Sequence, residues 1–140
     1  MFSKTSEYGM RAMVFIAQKT LEDKRAGIAE IATETNTPKP FISKILQVLV
    51  RENLLDSVKG PNGGFKLKRK NITMEQVVVA LEGKDFLTKC AMGLKKCNAA
   101  NPCPIHHQFK DVRDNLIISL KSANLLGIAA TQNEIKYSIR

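Results

Sequence analysis

Residues 37–70 read TPKPFISKILQVLVRENLLDSVKGPNGGFKLKRK, and their pattern decides the fold. Ile42, Ile45, Leu46 and Leu49 fall at i, i+3, i+4 and i+7, one face of a helix running to about Glu52. Thr37 is the candidate N-cap and Pro38 the first-turn residue. The opposite face shows Lys39, Ser43, Lys44 and Gln47. Leu55 to Lys59 and Phe65 to Arg69 flank the tip Gly60-Pro61-Asn62-Gly63-Gly64, and the second run alternates, with Phe65 and Leu67 on one face and Lys66 and Lys68 on the other. Upstream, Ile28, Ile31 and Ala32 mark a short helix to Glu34, with Asn36 and Thr37 as punctuation. Two short helices and a basic ribbon make a winged helix-turn-helix.

This unit suits DNA. Lys39, Ser43 and Lys44 lie on the polar face of the second helix, Lys59 stands at the base of the ribbon and Asn62 at its tip. Gly63 and Gly64 allow positive φ and close backbone approach to phosphates. The glycines are not a nucleotide-binding P-loop, because no Lys-Ser/Thr pair opening a helix follows them.

Outward from this unit, Ser6 to about Lys19 is apolar on most sides, as a helix covered by neighbours should be. Thr73-Met74-Glu75-Gln76 forms a capping box opening a helix through Leu81, ended by Gly83. The stretch CAMGLKKCNAANPC follows neither period and reads as a loop. Pro104 opens a last helix, to about Asn124, carrying Phe109, Val112, Leu116, Leu120 and Ala123 on one drifting stripe. That stripe has two uses: pairing with a second copy, or packing onto the first helix. The expected class is mainly α, with a two-strand wing and a long C-terminal dimerisation helix. The expected division is 1–83 for the DNA-binding domain, 84–103 for the cysteine loop, 104–128 for the dimerisation helix and 129–140 for a polar tail.

The 140 residues hold 22 Lys plus Arg against 13 Asp plus Glu, a net charge of +9 that points to a polyanionic partner, nucleic acid first. The length excludes a large multidomain enzyme, and no Ser-His-Asp, paired-carboxylate or nucleotide-binding constellation appears, so no catalysis is expected. No stretch approaches the roughly 18 to 20 apolar residues of a membrane span, and MFSKTSEYGMRAM lacks a signal peptide's apolar core; a cytoplasmic protein with no membrane role is expected.

Cys90, Cys97 and Cys103 have six and five residues between them. Structural zinc sites usually pair cysteines more closely, so the spacing suits a bulkier inorganic core. Iron–sulfur clusters normally take four protein ligands, leaving one to find. His106, three residues after Cys103, is one candidate; Glu7 on the first helix, reaching across from a partner subunit, is the other. Lys89, Lys95 and Lys96 favour the thiolates.

On Thr5-Ser6-Glu7-Tyr8, Phe41 to Leu49, Val58 to Phe65, the three cysteines and Cys103-Pro104-Ile105-His106, the chain resembles the iron–sulfur cluster regulator (IscR) and nitric-oxide-sensing repressor (NsrR) group of bacterial transcription factors. The resemblance implies a homodimer whose iron–sulfur cluster controls promoter binding. It implies that Cys90, Cys97 and Cys103 are ligands, with His106 matching the histidine of the 2Fe–2S branch and Glu7 the partner-supplied aspartate of the 4Fe–4S branch. A 2Fe–2S cluster is favoured; because the first cysteine gap is longer than the family's by a residue and both rival ligands are present, 4Fe–4S stays as the alternative. Lys59 matches a basic groove contact of the wing. The implied protein is a repressor or dual regulator of a palindromic site, sensing iron–sulfur, redox or nitric oxide status. Its rivals are a cluster-free thiol sensor of oxidants or sulfide and a regulator acting on a partner enzyme.

Overall fold

The computed structural model describes residues 1–132, 134, 135 and 137–140. Helix α1 (Lys4–Leu21) starts earlier than the apolar pattern suggests, because Ser3 Oγ accepts from the backbone N–H of Ser6 at 3.2 Å. Residues 12–17 are buried all round, which makes α1 the central helix of the main core. Gly9 allows a close approach by a later helix: a Cβ there would collide with the Leu81 side chain.

Helices α2 (Ile28–Glu34) and α3 (Lys39–Arg51) form the helix-turn-helix, with Ile31, Ile42, Ile45, Leu46 and Leu49 in the core. Thr37 is not the cap of α3. It is buried, its hydroxyl is bonded within the turn to Thr35, and Pro38 takes the cap position with Pro40 in the first turn. Asn36 turns the chain at φ 49°. Strands β1 (Leu55–Val58) and β2 (Gly64–Leu67) pair antiparallel, Leu55 opposite Leu67 and Val58 opposite Gly64. Phe65 also exchanges both backbone bonds with Ala26, at 2.8 and 3.0 Å, which ties the wing to the segment before α2.

That tie changes the reading of the glycines. Gly64, at φ +126°, lies against the Ala26 backbone, where any Cβ would collide; a Cβ at Gly63 would meet the Val58 carbonyl. Packing within the wing accounts for both, whereas positive φ at the exposed tip belongs to Gly60.

Helix α4 (Met74–Glu82) carries the expected capping box and ends at Gly83. The single helix expected over 104–128 is two, α5 (His106–Ser122) and α6 (Leu125–Thr131). The break is made by distant backbone: Met74 donates to Ala123 at 2.8 Å and Leu125 to Ile72 at 3.0 Å, while Asn124 caps α6 through its side chain. Helix α6 lies along α1, burying Leu125 and Ala129, so residues expected in a dimer helix and a polar tail close the main core. Ile139, within the expected tail, also packs there. Helix α5 lies against α4, its Leu120 joining Val78 and Leu87 in a second cluster. Of the stripe, Phe109 and Val112 remain exposed.

Candidate metal centre and nucleic-acid interface

The segment between α4 and α5 has no regular structure but is pinned at several points. Leu87 anchors it in the second cluster, and the rings of Phe86 and Phe2 pack with centroids 5.8 Å apart. Arg113 of α5 donates from one guanidinium nitrogen to the carbonyls of Thr88 and Lys89, at 3.3 and 3.2 Å, immediately before Cys90. Gly93 turns the chain at φ +73°, with its N–H bonded to the Cys90 carbonyl. Asn98 closes a second turn by accepting from the N–H groups of Ala100 and Asn101.

These turns bring the three thiols together, with all Sγ atoms within 4.8 Å of one another. Cys90 and Cys103 Sγ are 3.7 Å apart, and the Cys97 Sγ is 3.3 Å from His106 Nδ1. Cys103 and His106 are buried, while Cys90 and Cys97 are half-buried at the mouth. The Cys103 backbone N–H points at the Cys97 sulfur at 3.4 Å. Residues Cys90, Cys97, Cys103 and His106, with Phe109 and Arg113, enclose a gap of about 10 Å³.

The Cys90 thiol is lowered from 9.0 to about 7, chiefly by the Leu94 backbone, helped by Met92 and the neighbouring thiols and opposed by burial. Cys97 moves the other way. The Cys103 backbone favours its thiolate, but burial and crowding by Cys103 and Cys90 together outweigh that and raise it. A group with one easily formed thiolate and mutually repelling neighbours is stabilised by a cation.

Of the two rival fourth ligands, His106 lies beside one thiol, that of Cys97, although it stands outside the group of three sulfurs that are mutually within 4.8 Å. Within its own chain Glu7 also lies outside that group, and it pairs with Lys4 at 3.1 Å. Arg113 escaped the sequence reading, because nothing in an amphipathic pattern marks which polar residue will turn back to hold a loop.

In the helix-turn-helix and wing, Lys39 and Lys44 are exposed on α3 and Ser43 is half-buried; Lys59, expected at the base of the ribbon, instead follows the end of β1 and is exposed with Asn62 at the wing tip. The basic run is less free than its composition suggests. Lys66 pairs with Asp23 at 2.6 Å, and Arg69 donates to the Asn53 carbonyl at 2.8 Å. Arg25, unmarked in the sequence reading, holds the ribbon by reaching Asp56 Oδ2 at 2.7 Å and the carbonyls of Asp56 and Gly64, each at 3.3 Å.

The sequence profile of the Rrf2 family, described as an iron-dependent transcriptional regulator, matches residues 2–131. The chain belongs to the Rrf2 family. A putative helix-turn-helix transcriptional regulator of Aquifex aeolicus is 29% identical over 82% of this chain and 81% of its own. The regulator IscR of Photorhabdus laumondii is 25% identical over 84% of this chain and 72% of its own. Among solved structures, CymR, the global cysteine regulator of B. subtilis, superposes with a TM-score of 0.78 at 22% identity, covering 93% of this chain and 96% of that one. T. potens IscR gives 0.76 at 22% identity, covering 98% and 91%. These similarities establish the winged helix fold and a DNA-binding regulator of transcription, not an enzyme. No helix among the described residues is long and apolar enough to cross a membrane.

Proposed function

We propose that this Rrf2 protein is a cytoplasmic, homodimeric regulator, in the first instance a repressor, whose promoter binding depends on an iron–sulfur cluster held by Cys90, Cys97, Cys103 and His106. The observation that carries this reading is the convergence of the donors: the three Sγ atoms lie within 4.8 Å of one another, Cys90 and Cys103 at 3.7 Å, and Cys97 Sγ stands 3.3 Å from His106 Nδ1. Thiolates bound at about 2.3 Å to one tetrahedral metal stand about 3.8 Å apart. A 2Fe–2S cluster takes four protein ligands, which Cys90, Cys97, Cys103 and His106 supply from one chain, whereas a 4Fe–4S cluster would draw on Glu7 of the partner subunit. When bound, such a cluster supplies a centre sensitive to iron supply, redox state and nitric oxide.

The chain's own residues link that centre to the DNA-reading head. Arg113 ties the approach to Cys90 onto α5, and Phe2 on Phe86 ties it to the start of α1. The Ser3 N–H donates to Glu82 Oε1 at 2.9 Å, fastening that start to the last turn of α4. Ordering the loop therefore biases the setting of α1 under the recognition helix. Exposed Phe109 and Val112 on α5 offer a second copy an apolar surface. A two-fold dimer would present two α3 helices about 34 to 36 Å apart, or a multiple, to a palindromic site, with Lys39, Ser43, Lys44, Lys59 and Asn62 toward the duplex.

Anaerobic purification and reconstitution, with visible absorbance and iron, sulfide and zinc analysis, tests the centre. Iron and sulfide in a 1:1 ratio, together with DNA affinity that changes on cluster removal, are expected. Zinc alone, or an iron-free colourless protein after reconstitution, would overturn the cluster. A second reading has its own support: Cys90, with its lowered thiol, lies within 3.7 Å of Cys103, as a thiol-based sensor needs. It requires DNA binding that responds to oxidant in metal-free protein.

A further inference from the structure

Phe41 is the one aromatic residue of α3. It sits in the first turn, 55% exposed, off the core face formed by Ile42, Ile45, Leu46 and Leu49. An exposed phenylalanine there contributes little to the core, yet its ring is held. The Tyr8 ring of α1 packs against it, centroids 6.1 Å apart and tilted by 52°. The Arg11 guanidinium lies 5.0 Å from the centre of the Tyr8 ring and donates to the Thr35 carbonyl in the helix-turn-helix turn at 3.2 Å. Arg11, Tyr8 and Phe41 thus form a braced row ending in an apolar edge at the start of the recognition helix. Lys44, one turn later, is exposed on the same side.

The N-terminal residues of a recognition helix are those that reach base edges. In the major groove the apolar feature of a base edge is the 5-methyl group of thymine, and phenylalanine is among the side chains that contact it. We propose that Phe41 is a specificity-determining residue that reads a thymine methyl in each half-site, with Tyr8 and Arg11 as positioning residues. The proposal rests on α3 entering the major groove, and it adds a base preference to that reading. It also places the preference under the control of α1, because the brace begins there.

The test uses the full chain, with and without anaerobic reconstitution. Bound duplexes are first enriched from a random pool; each thymine of the enriched site is then replaced singly by deoxyuridine, which removes only the methyl group. At one thymine per half-site the replacement should weaken wild-type binding roughly fourfold, the effect of losing one buried methyl-sized contact. Phe41→Ala should bind thymine and uracil duplexes equally at that position, and Phe41→Leu should discriminate less than wild type. Tyr8→Ala, which leaves Phe41 in place, should narrow the thymine–uracil ratio, a readout that a purely structural role would not move. Thermal melting of each variant identifies any that fail to fold, and the leucine variant then decides the matter. Wild-type protein indifferent to every replacement, or discrimination that persists in the folded variants, overturns the assignment of Phe41. If no sequence is enriched at all, the DNA-reading role of α3 fails instead.

Discussion

Cys97 Sγ stands 3.3 Å from Nδ1 of His106, and His106 opens α5 with its backbone N–H on the Cys103 carbonyl at 3.0 Å. The imidazole is buried, so its orientation is set by the helix start rather than by solvent. Replacing it removes one donor and leaves the thiols in place. After anaerobic reconstitution, His106→Ala should shift the visible spectrum and lose iron faster to a chelator, while Glu7→Ala should match wild type. The reverse pattern would make Glu7 of the partner subunit the ligand.

Arg113 reaches no sulfur through its two carbonyl bonds, yet those bonds fix the backbone leading into Cys90. Partners that orient a ligand typically change metal affinity by roughly 10- to 100-fold when removed. Arg113→Ala should therefore weaken iron retention by that order without altering the ligand set, seen as faster bleaching with an unchanged absorption profile. An altered profile would mean that Arg113 acts on the cluster more directly.

Lys59 and Lys66 separate the wing's free charge from its structural charge. Lys59 is exposed at the tip, whereas Lys66 is committed to Asp23 at 2.6 Å. A lysine that neutralises one phosphate contributes about 0.9 to the slope of log affinity against log salt. Lys59→Ala should reduce that slope by roughly one, and Lys66→Ala should leave it nearly unchanged. Equal effects would mean that both lysines, or neither, face phosphate.

Helical periodicity made α2 and the body of α3 legible, and two-residue alternation the ribbon, because each buries a face whose spacing is local. The capping box at Thr73 was legible for the same reason. The end of α5 near Asn124 was legible too, but the separate helix α6 after it was not. Leu120, Ala123, Leu125 and Leu126 continue an apolar pattern without glycine or proline, and the break comes from pairing with Ile72 and Met74, some fifty residues away. Asn124, a good cap inside an apolar run, was the available signal. Thr37 had the right chemistry for a cap, but its side chain turned inward to Thr35. At the metal centre the clustering of thiols was visible in the spacing. The choice between His106 and Glu7 depended on tertiary placement, which spacing does not carry.

The repositioning of α6 has an energetic consequence. Leu125 is fully buried on α1, whereas Val112 of α5 is 53% exposed. Truncating a buried leucine to alanine costs about 2–5 kcal/mol, and exposed positions away from such packing change stability by about 0.5 kcal/mol or less. Leu125→Ala should thus lower the urea midpoint strongly, and Val112→Ala should alter association between copies more than folding. Sedimentation at several concentrations alongside urea unfolding checks both. A mild Leu125→Ala variant would return α6 to the dimer surface expected from the sequence.

Acid should loosen the wing before it affects the core. The hydrogen bond from Arg25 holds the Asp56 carboxyl below its ordinary 3.8; burial opposes the shift, and the Arg25 charge with Lys68 and Lys66 reinforces it. Asp23 is lowered in the same direction by its bond to Lys66. A carboxylate more acidic in the folded chain contributes stability in full above its unfolded value, and that contribution is lost as pH falls through the folded value. Both pairs are open to solvent, so the effect is modest and appears below about pH 4. Asp56→Asn should lower the unfolding midpoint modestly at neutral pH and flatten its fall between about pH 5 and pH 3, so that variant and wild type converge in acid. High salt should mimic part of that flattening in the wild type, because screening weakens the Arg25–Asp56 attraction that sets the shift. A wild-type acid transition unchanged by Asp56→Asn would assign it to carboxylates elsewhere, such as Glu82 at the end of α4 and Asp114 on α5, both also held low.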